Sequence, residues 1–440
     1  MVLARVRRGS VGIALLLATT CTSSFPIGPS KGATPSPTPI HTETVSPSRT
    51  TPSPQPPKAV SVRAPRGGSL LVRGTYPHVH SRCKHPEQPR LKARYPGRLS
   101  VHLGEGGSLD LTVTVPFERY LQGIAEVPPS WPMAALEAQA IAARSYALAS
   151  TGWSGAQGAT LDTPICATAS CQVYGGIPVP RERDVGRWYR AVRRTEGLLL
   201  LYGNRPADTV YFSTSDGHTY GNDQVFGSAP LPYLRPVAEH DDGASPLSHW
   251  VVKLRLNDVR RFLEAAGLWP EGRGISSVTR EGSIVEVRGG GTRRSLDEAD
   301  FRNAMNEWAP CFEPHRFPPR DPGGARLPTT VPSAWYSVAS GKGPLVLTGR
   351  GWGHGVGMVQ WGARGKAERG LSAAQILAYY YGGLRPRRFP EPGLIHVQVA
   401  TGLATIRAKP SGPGARLDGH PIGRRELRIT GGTHIGITSH

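Results

Sequence analysis

The pattern of apolar and polar positions changes character several times along the chain. The run Val11–Ala18, "VGIALLLA", follows Arg5, Arg7 and Arg8 and is too short to span a bilayer. Residues 22 to about 60 then lose apolar content to Pro, Ser and Thr, which predicts an extended, disordered spacer. From about Ser69, "SLLVRGTYPHV", "LSVHL" and "SLDLTVTVPF" alternate apolar and polar residues with the period of short strands. Pro116 closes the last of these, and "FERYLQGIA" reads as a short helix with Tyr120, Leu121 and Ile124 on one side.

The next segment is the strongest helix in the sequence. Ser130 is placed as its N-cap and Pro132 suits its first turn, where a missing N–H costs nothing. Eight of the sixteen residues from Ala134 to Ala149 are alanine, and Leu136, Ala140, Ala143 and Ala147 follow helical spacing, so a buried core helix is predicted. Further on, "GLLLLYGNRPADTVYFSTSDGHTYG" gives a strand, a turn at Gly203–Asn204, a second strand and a polar loop. "HWVVKLRLNDVRRFLEAAGL" gives strand then helix, and "ISSVTREGSIVEVRGGGTRRSLDEADFRNAM" a hairpin then a helix. Strands and helices mix without regular alternation, which favours an α+β fold around the Ala-rich helix. The implied division is a signal peptide at 1–21, a linker at 22–66, a main domain at 67–389 and a small β-rich accessory segment at 390–440.

Charge and cysteine content narrow the setting. The 440 residues carry 52 Lys plus Arg against 32 Asp plus Glu, a formal net charge of +20, which favours anionic partners. The basic residues are scattered and not interleaved with aromatics, which argues against nucleic acid. No segment after the leader is long enough to span a membrane, so a secreted or envelope protein is expected, with Cys21 a candidate lipid-attachment cysteine. Four cysteines remain, Cys83, Cys166, Cys171 and Cys311; an even number in an exported chain suggests two disulfides, with three pairings open.

Several stretches carry candidate chemistry. In "GRGWGHGVGMVQWGARG" glycine occupies every second position from 349 to 357, which strips side chains from one face of an extended segment. Trp352, His354 and Trp361 flank that strip, either as a sugar-binding surface or as core residues of a tight strand crossing. His354 has no partner at metal-ligand spacing. The loop "FSTSDGHTYG" offers Ser213, Ser215, Asp216 and His218, read as a hydroxyl-lined ligand loop in preference to a nucleophilic triad. Glu126 stands among Ile124, Val127 and Pro128; partial desolvation would raise its pKa toward that of a general acid, while its alternative role is a charge at a helix N-terminus.

Taken together, these stretches resemble the stage II sporulation protein D family, which includes amidase enhancers. The resemblance rests on "FERYLQGIAEVPPSWPMAALEAQAIAARSYAL", "DTPICATASCQVYGG", "VYFSTSDGHTYGNDQVFG", "PYLRPVAEHDD" and "GRGWGHGVGMVQWGARGKAERGLSAAQILAYYYGG", in the family's order over roughly residues 100 to 385. It implies a lytic transglycosylase that cleaves peptidoglycan glycan strands stripped of their peptides, with Glu126 as the single acid/base. Gln172, Tyr174, Ser213, Ser215, Trp352, His354 and Gln360 would contact substrate. The other implied role is a non-catalytic module that binds peptidoglycan and enhances a cell-wall amidase; a third is a hydrolase pairing Glu126 with Asp216. Some members resembling this chain bind zinc through two Cys and two His, but Thr160 and Ser170 stand at the histidine positions. No cofactor is therefore expected, and Cys166–Cys171 is taken as a disulfide, with Cys83–Cys311 as the other pair. Glu137, often Lys in the family, is not expected to be catalytic, and His218 stands where Gly is frequent.

Overall fold

A computed structural model of the chain describes residues 59–76, 90–124, 126–155, 161, 163–168, 170–177, 185–317, 330–339, 341 and 343–439. The leader, Cys21, most of the linker and Cys83 lie outside these. The fold is α+β, as the mixed pattern predicts. A seven-stranded sheet has the spatial order His420–Gly423, Ala415–Leu417, Ala59–Arg63, Arg98–Leu103, Leu109–Pro116, Leu394–Leu403 and Ile165–Cys166. A five-stranded sheet runs Gly436–Ser439, Leu427–Thr430, Thr405–Pro410, Leu70–Thr75 and Arg90–Tyr95. Alternate residues of both sheets, such as Leu109, Leu111 and Val113 in one and Leu70 and Val72 in the other, enter a single apolar core.

This topology departs from the expected division in two places. The expected linker runs to residue 66, yet Val60 and Val62 are buried in a strand paired with Arg98–Leu103. Residues 390–440 are not a separate module: Leu394–Leu403 pairs with Leu109–Pro116, and Thr405–Pro410 pairs with Leu70–Thr75. Strands from both ends share one apolar core, so the two ends fold as one body.

The helices are α1 (Phe117–Gln122), α2 (Met133–Ser150), α3 (Val185–Arg194), α4 (Asn222–Phe226), α5 (Leu256–Ala265), α6 (Glu298–Phe312), α7 (Gln360–Glu368) and α8 (Ala373–Tyr380). Among the described residues no helix is long and apolar enough to cross a membrane. Helix α2 is the predicted core helix, but it begins at Met133 behind Pro132, and Ser130 makes no cap. Its alanines are buried on nearly every side, which lets α3, α7 and α8 pack against it. A second lobe with its own apolar cluster is built on α5, α6 and two three-stranded sheets. The expected hairpin there is a three-stranded meander, Ser277–Glu281, Ile284–Gly289 and Thr292–Asp297.

The alternating glycines do not form the extended strip that was expected. Gly351, Gly353, Gly355 and Gly357 all have positive φ, so the backbone turns at every second residue. The close backbone approach does occur: a Cβ on Gly357 would lie 2.0 Å from the carbonyl oxygen of Val210. Trp352 and Trp361 are consequently turned into the protein and buried. Gly357→Ala combines a disfavoured backbone with this clash and should cost roughly 2–4 kcal/mol in chemical denaturation; a loss below about 0.5 kcal/mol would mean that the backbone at Val210 yields freely.

Candidate active site

Glu126 lies in the short connection between α1 and α2, where the chain leaves the large sheet. Gly175 N–H bonds the carbonyl of Gly123, and Ile124 bridges Tyr174, so residues 172–175 run alongside this connection. The Val173 N–H then donates to Glu126 Oε1 at 2.5 Å. That donor segment is held on both sides. Cys166 and Cys171 form a disulfide directly before it. Gln172 is fully buried, accepting from the Tyr120 hydroxyl at 2.7 Å and donating to the carbonyl of Ala143 on α2 at 2.9 Å.

Among the described residues Glu126 makes no ion pair, and no acidic group is close enough to act on its carboxyl. Burial of the carboxyl raises its pKa to about 7, outweighing the Val173 N–H and the Tyr211 phenol, which both favour the anion. A carboxyl of this kind is half protonated near neutrality and suits proton donation followed by proton recovery. Burial and the neighbouring Glu126 push the phenols of Tyr120 and Tyr211 well above their usual range, so both are neutral. The Tyr211 hydroxyl is buried against the carboxyl without a hydrogen bond of normal geometry to any described group.

Tyr211 is a site residue that the sequence reading missed. It belongs to a two-residue strand, Tyr211–Phe212, paired in parallel with Met358–Val359. His354 fixes it there. The Val356 N–H donates to His354 Nδ1 at 3.1 Å, so the ring proton is on Nε2, which donates to the Tyr211 carbonyl at 2.9 Å. Burial holds the His354 pKa down at about 4, leaving a neutral ring with both nitrogens engaged. His354 is thus neither a base nor a metal ligand here; it ties the glycine-rich loop to the strand that faces Glu126.

The remaining predicted residues are mostly internal. Tyr174 stacks on Tyr95, with ring centroids 5.8 Å apart. Trp352 pairs backbone to backbone with Thr214, and the Ser213 carbonyl accepts from the Trp361 N–H. Ser215 donates both its N–H and its hydroxyl to Asp242. Gln360 reaches Gln139 on α2 at 3.4 Å. No nucleophilic triad forms in the loop: His218 lies 3.5 Å from Asp216, while Ser213 bonds Thr214 and Ser215 bonds Asp242. Glu137 is in an outer ion pair with Arg194.

The segment that would hold zinc does not fit it. Both sulfurs are joined to each other, Ser170 supplies no imidazole, and Thr160 lies outside the described residues. Among the described residues no three His, Cys, Asp or Glu side chains gather to hold a metal ion. Cys311 is disulfide-bonded, and Cys83, the partner expected for it, lies outside the described residues. Two surface cavities, of about 450 and 350 Å³, are in the second lobe, and neither is lined by Glu126 or by a predicted substrate residue.

Residues 105–202, which include Glu126 and the Val173 segment, match the family model described as stage II sporulation protein. An uncharacterized protein of Brachyspira hyodysenteriae is 29% identical over 61% of this chain and 65% of its own length. The stage II sporulation protein D of Bacillus amyloliquefaciens is 26% identical over 61% of this chain and 74% of its own. The amidase enhancer of Bacillus subtilis is 26% identical over 59% of this chain. This chain therefore spans just under two thirds of the Brachyspira protein and 38% of the amidase enhancer.

Proposed function

Because the chain belongs to the stage II sporulation protein D family, which is linked to cell-wall remodelling, we propose that it is an exported lytic transglycosylase acting on peptide-free glycan strands of peptidoglycan. The observation that carries this reading is the carboxyl of Glu126, with a pKa near 7 and no second carboxylate against it among the described residues. Ordinary glycosidases need two such groups, because one must act on water or attack the sugar. A transglycosylase needs one. The Glu126 proton goes to the glycosidic oxygen as its bond to the anomeric carbon breaks. The sugar's own 6-hydroxyl oxygen then bonds that carbon, and its proton returns to Glu126. The product is a 1,6-anhydro end, and no water is consumed.

In this mechanism the Val173 N–H stabilises the carboxylate left after proton transfer, and the neutral Tyr211 phenol assists it. Purified protein incubated with peptide-free strands should release products one water lighter than hydrolysed ends, as read by mass spectrometry. Release of hydrolysed ends alone would replace the reading with a hydrolase. The name of the amidase-enhancer relative favours a second role, recruitment of an amidase to the wall. Wall binding with no soluble product would favour that role over catalysis.

Activity should fall as pH rises through about 7, because the acid form of Glu126 starts the reaction. Tyr211→Phe removes a group that favours the anion, so the carboxyl should hold its proton longer. The alkaline limb of the pH–rate profile should move up by roughly half a unit to one unit. An unmoved limb would take Tyr211 out of the site.

A further inference from the structure

Basic residues that lie far apart along the chain are brought level with one another by the five-stranded sheet. One face of that sheet joins the apolar core through Val72, Ala408, Leu427 and Ile429. The residues between these point the opposite way. There Lys92 lies opposite Arg73, Arg73 opposite Arg407, and Arg407 opposite Arg428, so four neighbouring strands each present a cation at the same level. All four cations are exposed. With strands ~4.8 Å apart, the row is roughly 14 Å long. The next level adds Arg94 and Lys409 on either side of Leu71. The level beyond Arg73 in the other direction is a line of hydroxyls, Thr75, Thr405 and Thr430.

Like charges directly opposite one another on a sheet repel, and a face that meets only solvent ordinarily intersperses the two signs. This row does not. Among the described residues one carboxylate reaches it: Glu426 Oε1 stands 4.0 Å from Arg73 Nη1, at the outer limit of an ion pair. Lys92, Arg407 and Arg428 have no anionic partner among those residues. A guanidinium offers a planar fork of donors that matches two oxygens of a phosphate, and the adjoining hydroxyls are further donors. Firm attachment to a bilayer needs apolar side chains to enter the lipid besides a basic patch. This face has none: the large apolar side chains that are exposed among the described residues, such as Phe226, Val251 and Leu394, belong to other elements. Charge complementarity without an apolar component favours a soluble polyanion over a membrane.

We infer that this face binds a linear polyanion of the cell envelope, whose phosphate groups repeat along the polymer and lie over the row from Lys92 to Arg428. The envelope setting rests on the functional reading above; the binding chemistry does not, and it uses no residue placed in catalysis. Phosphates lying over the row relieve its repulsion, so removing cations should cost binding and spare the fold.

The test titrates the full chain with poly(glycerol phosphate) at several salt concentrations. Affinity should fall steeply as salt rises. Arg407→Gln combined with Arg428→Gln should weaken binding roughly tenfold or more at low salt and flatten the salt dependence, while thermal unfolding stays level or rises. Glu426→Gln, which removes the competing carboxylate, should tighten binding. A double variant that binds as its parent does, or a parent that binds no polymer at low salt, would overturn the inference. Row-dependent binding confined to phosphatidylglycerol vesicles, or to single-stranded DNA, would overturn it in favour of that partner. Row-dependent binding of the polymer by protein that releases no anhydro ends would support this surface and end the enzymatic reading.

Discussion

Glu126→Gln should abolish release of anhydro ends, by at least about a thousandfold, while making the folded protein more stable at alkaline pH. The two effects have one cause. In the folded chain the Glu126 pKa is about 7 against a reference of 4.5. Between those values the folded state holds a proton that the unfolded state has lost, so raising pH through this window destabilises the wild-type fold. The penalty is complete above the folded pKa and is at most on the order of 3 kcal/mol. Glutamine keeps an acceptor for the Val173 N–H and never ionises. The stability difference between variant and wild type should therefore grow from pH 5 to pH 8, as denaturant titrations at each pH would read. Glu391 is also raised to about 7, but it is present in both proteins and cancels from the difference. A flat difference would mean that the carboxyl is well solvated, and retained activity would remove it from catalysis.

The second large effect is expected at Arg144, on the buried helix α2. Its guanidinium is fully buried, pairing through Nη2 with Glu118 at 2.8 Å and through Nε with Glu391 at 2.6 Å, and donating to Thr195 Oγ1. Glu118 belongs to α1, and Glu391 lies in the approach to the strand Leu394–Leu403, so one cation ties α1 and that approach to α2. Arg144→Met leaves two carboxylates facing each other in a poorly solvated space. The loss should be about 3–5 kcal/mol at pH 8. It should shrink at pH 5, because burial already raises both carboxyls and protonation relieves them. Adding Glu118→Gln and Glu391→Gln to Arg144→Met should recover most of the loss. A single-variant cost below about 1 kcal/mol would show that the network is not holding the C-terminal strands in place.

What could be read from the chain divides along a physical line. Helix α2 was legible because alanine content and spacing are local properties, and the Gly203–Asn204 turn because both residues adopt the positive φ that their types permit. The pairing of Leu394–Leu403 with Leu109–Pro116 had no local signature, since alternation shows which face is buried and not which strand covers it. Glu126, Gln172 and Tyr174 were flagged by the resemblance and do stand together, although the amide of Gln172 is spent on internal support. Tyr211 carried no signal: its role depends on a hydrogen bond from His354 to its carbonyl and on a crossing strand far along the chain. Alternating glycines were read as a flat strip because glycine's sequence signature does not distinguish extended from left-handed backbone.

The proposed mechanism requires the sugar's own hydroxyl, and not water, to close the reaction at a single carboxyl. Digestion of peptide-free glycan strands in water enriched in heavy oxygen tests this directly. Product ends should be anhydro and carry no label; labelled reducing ends appearing with the same dependence on Glu126 would contradict it.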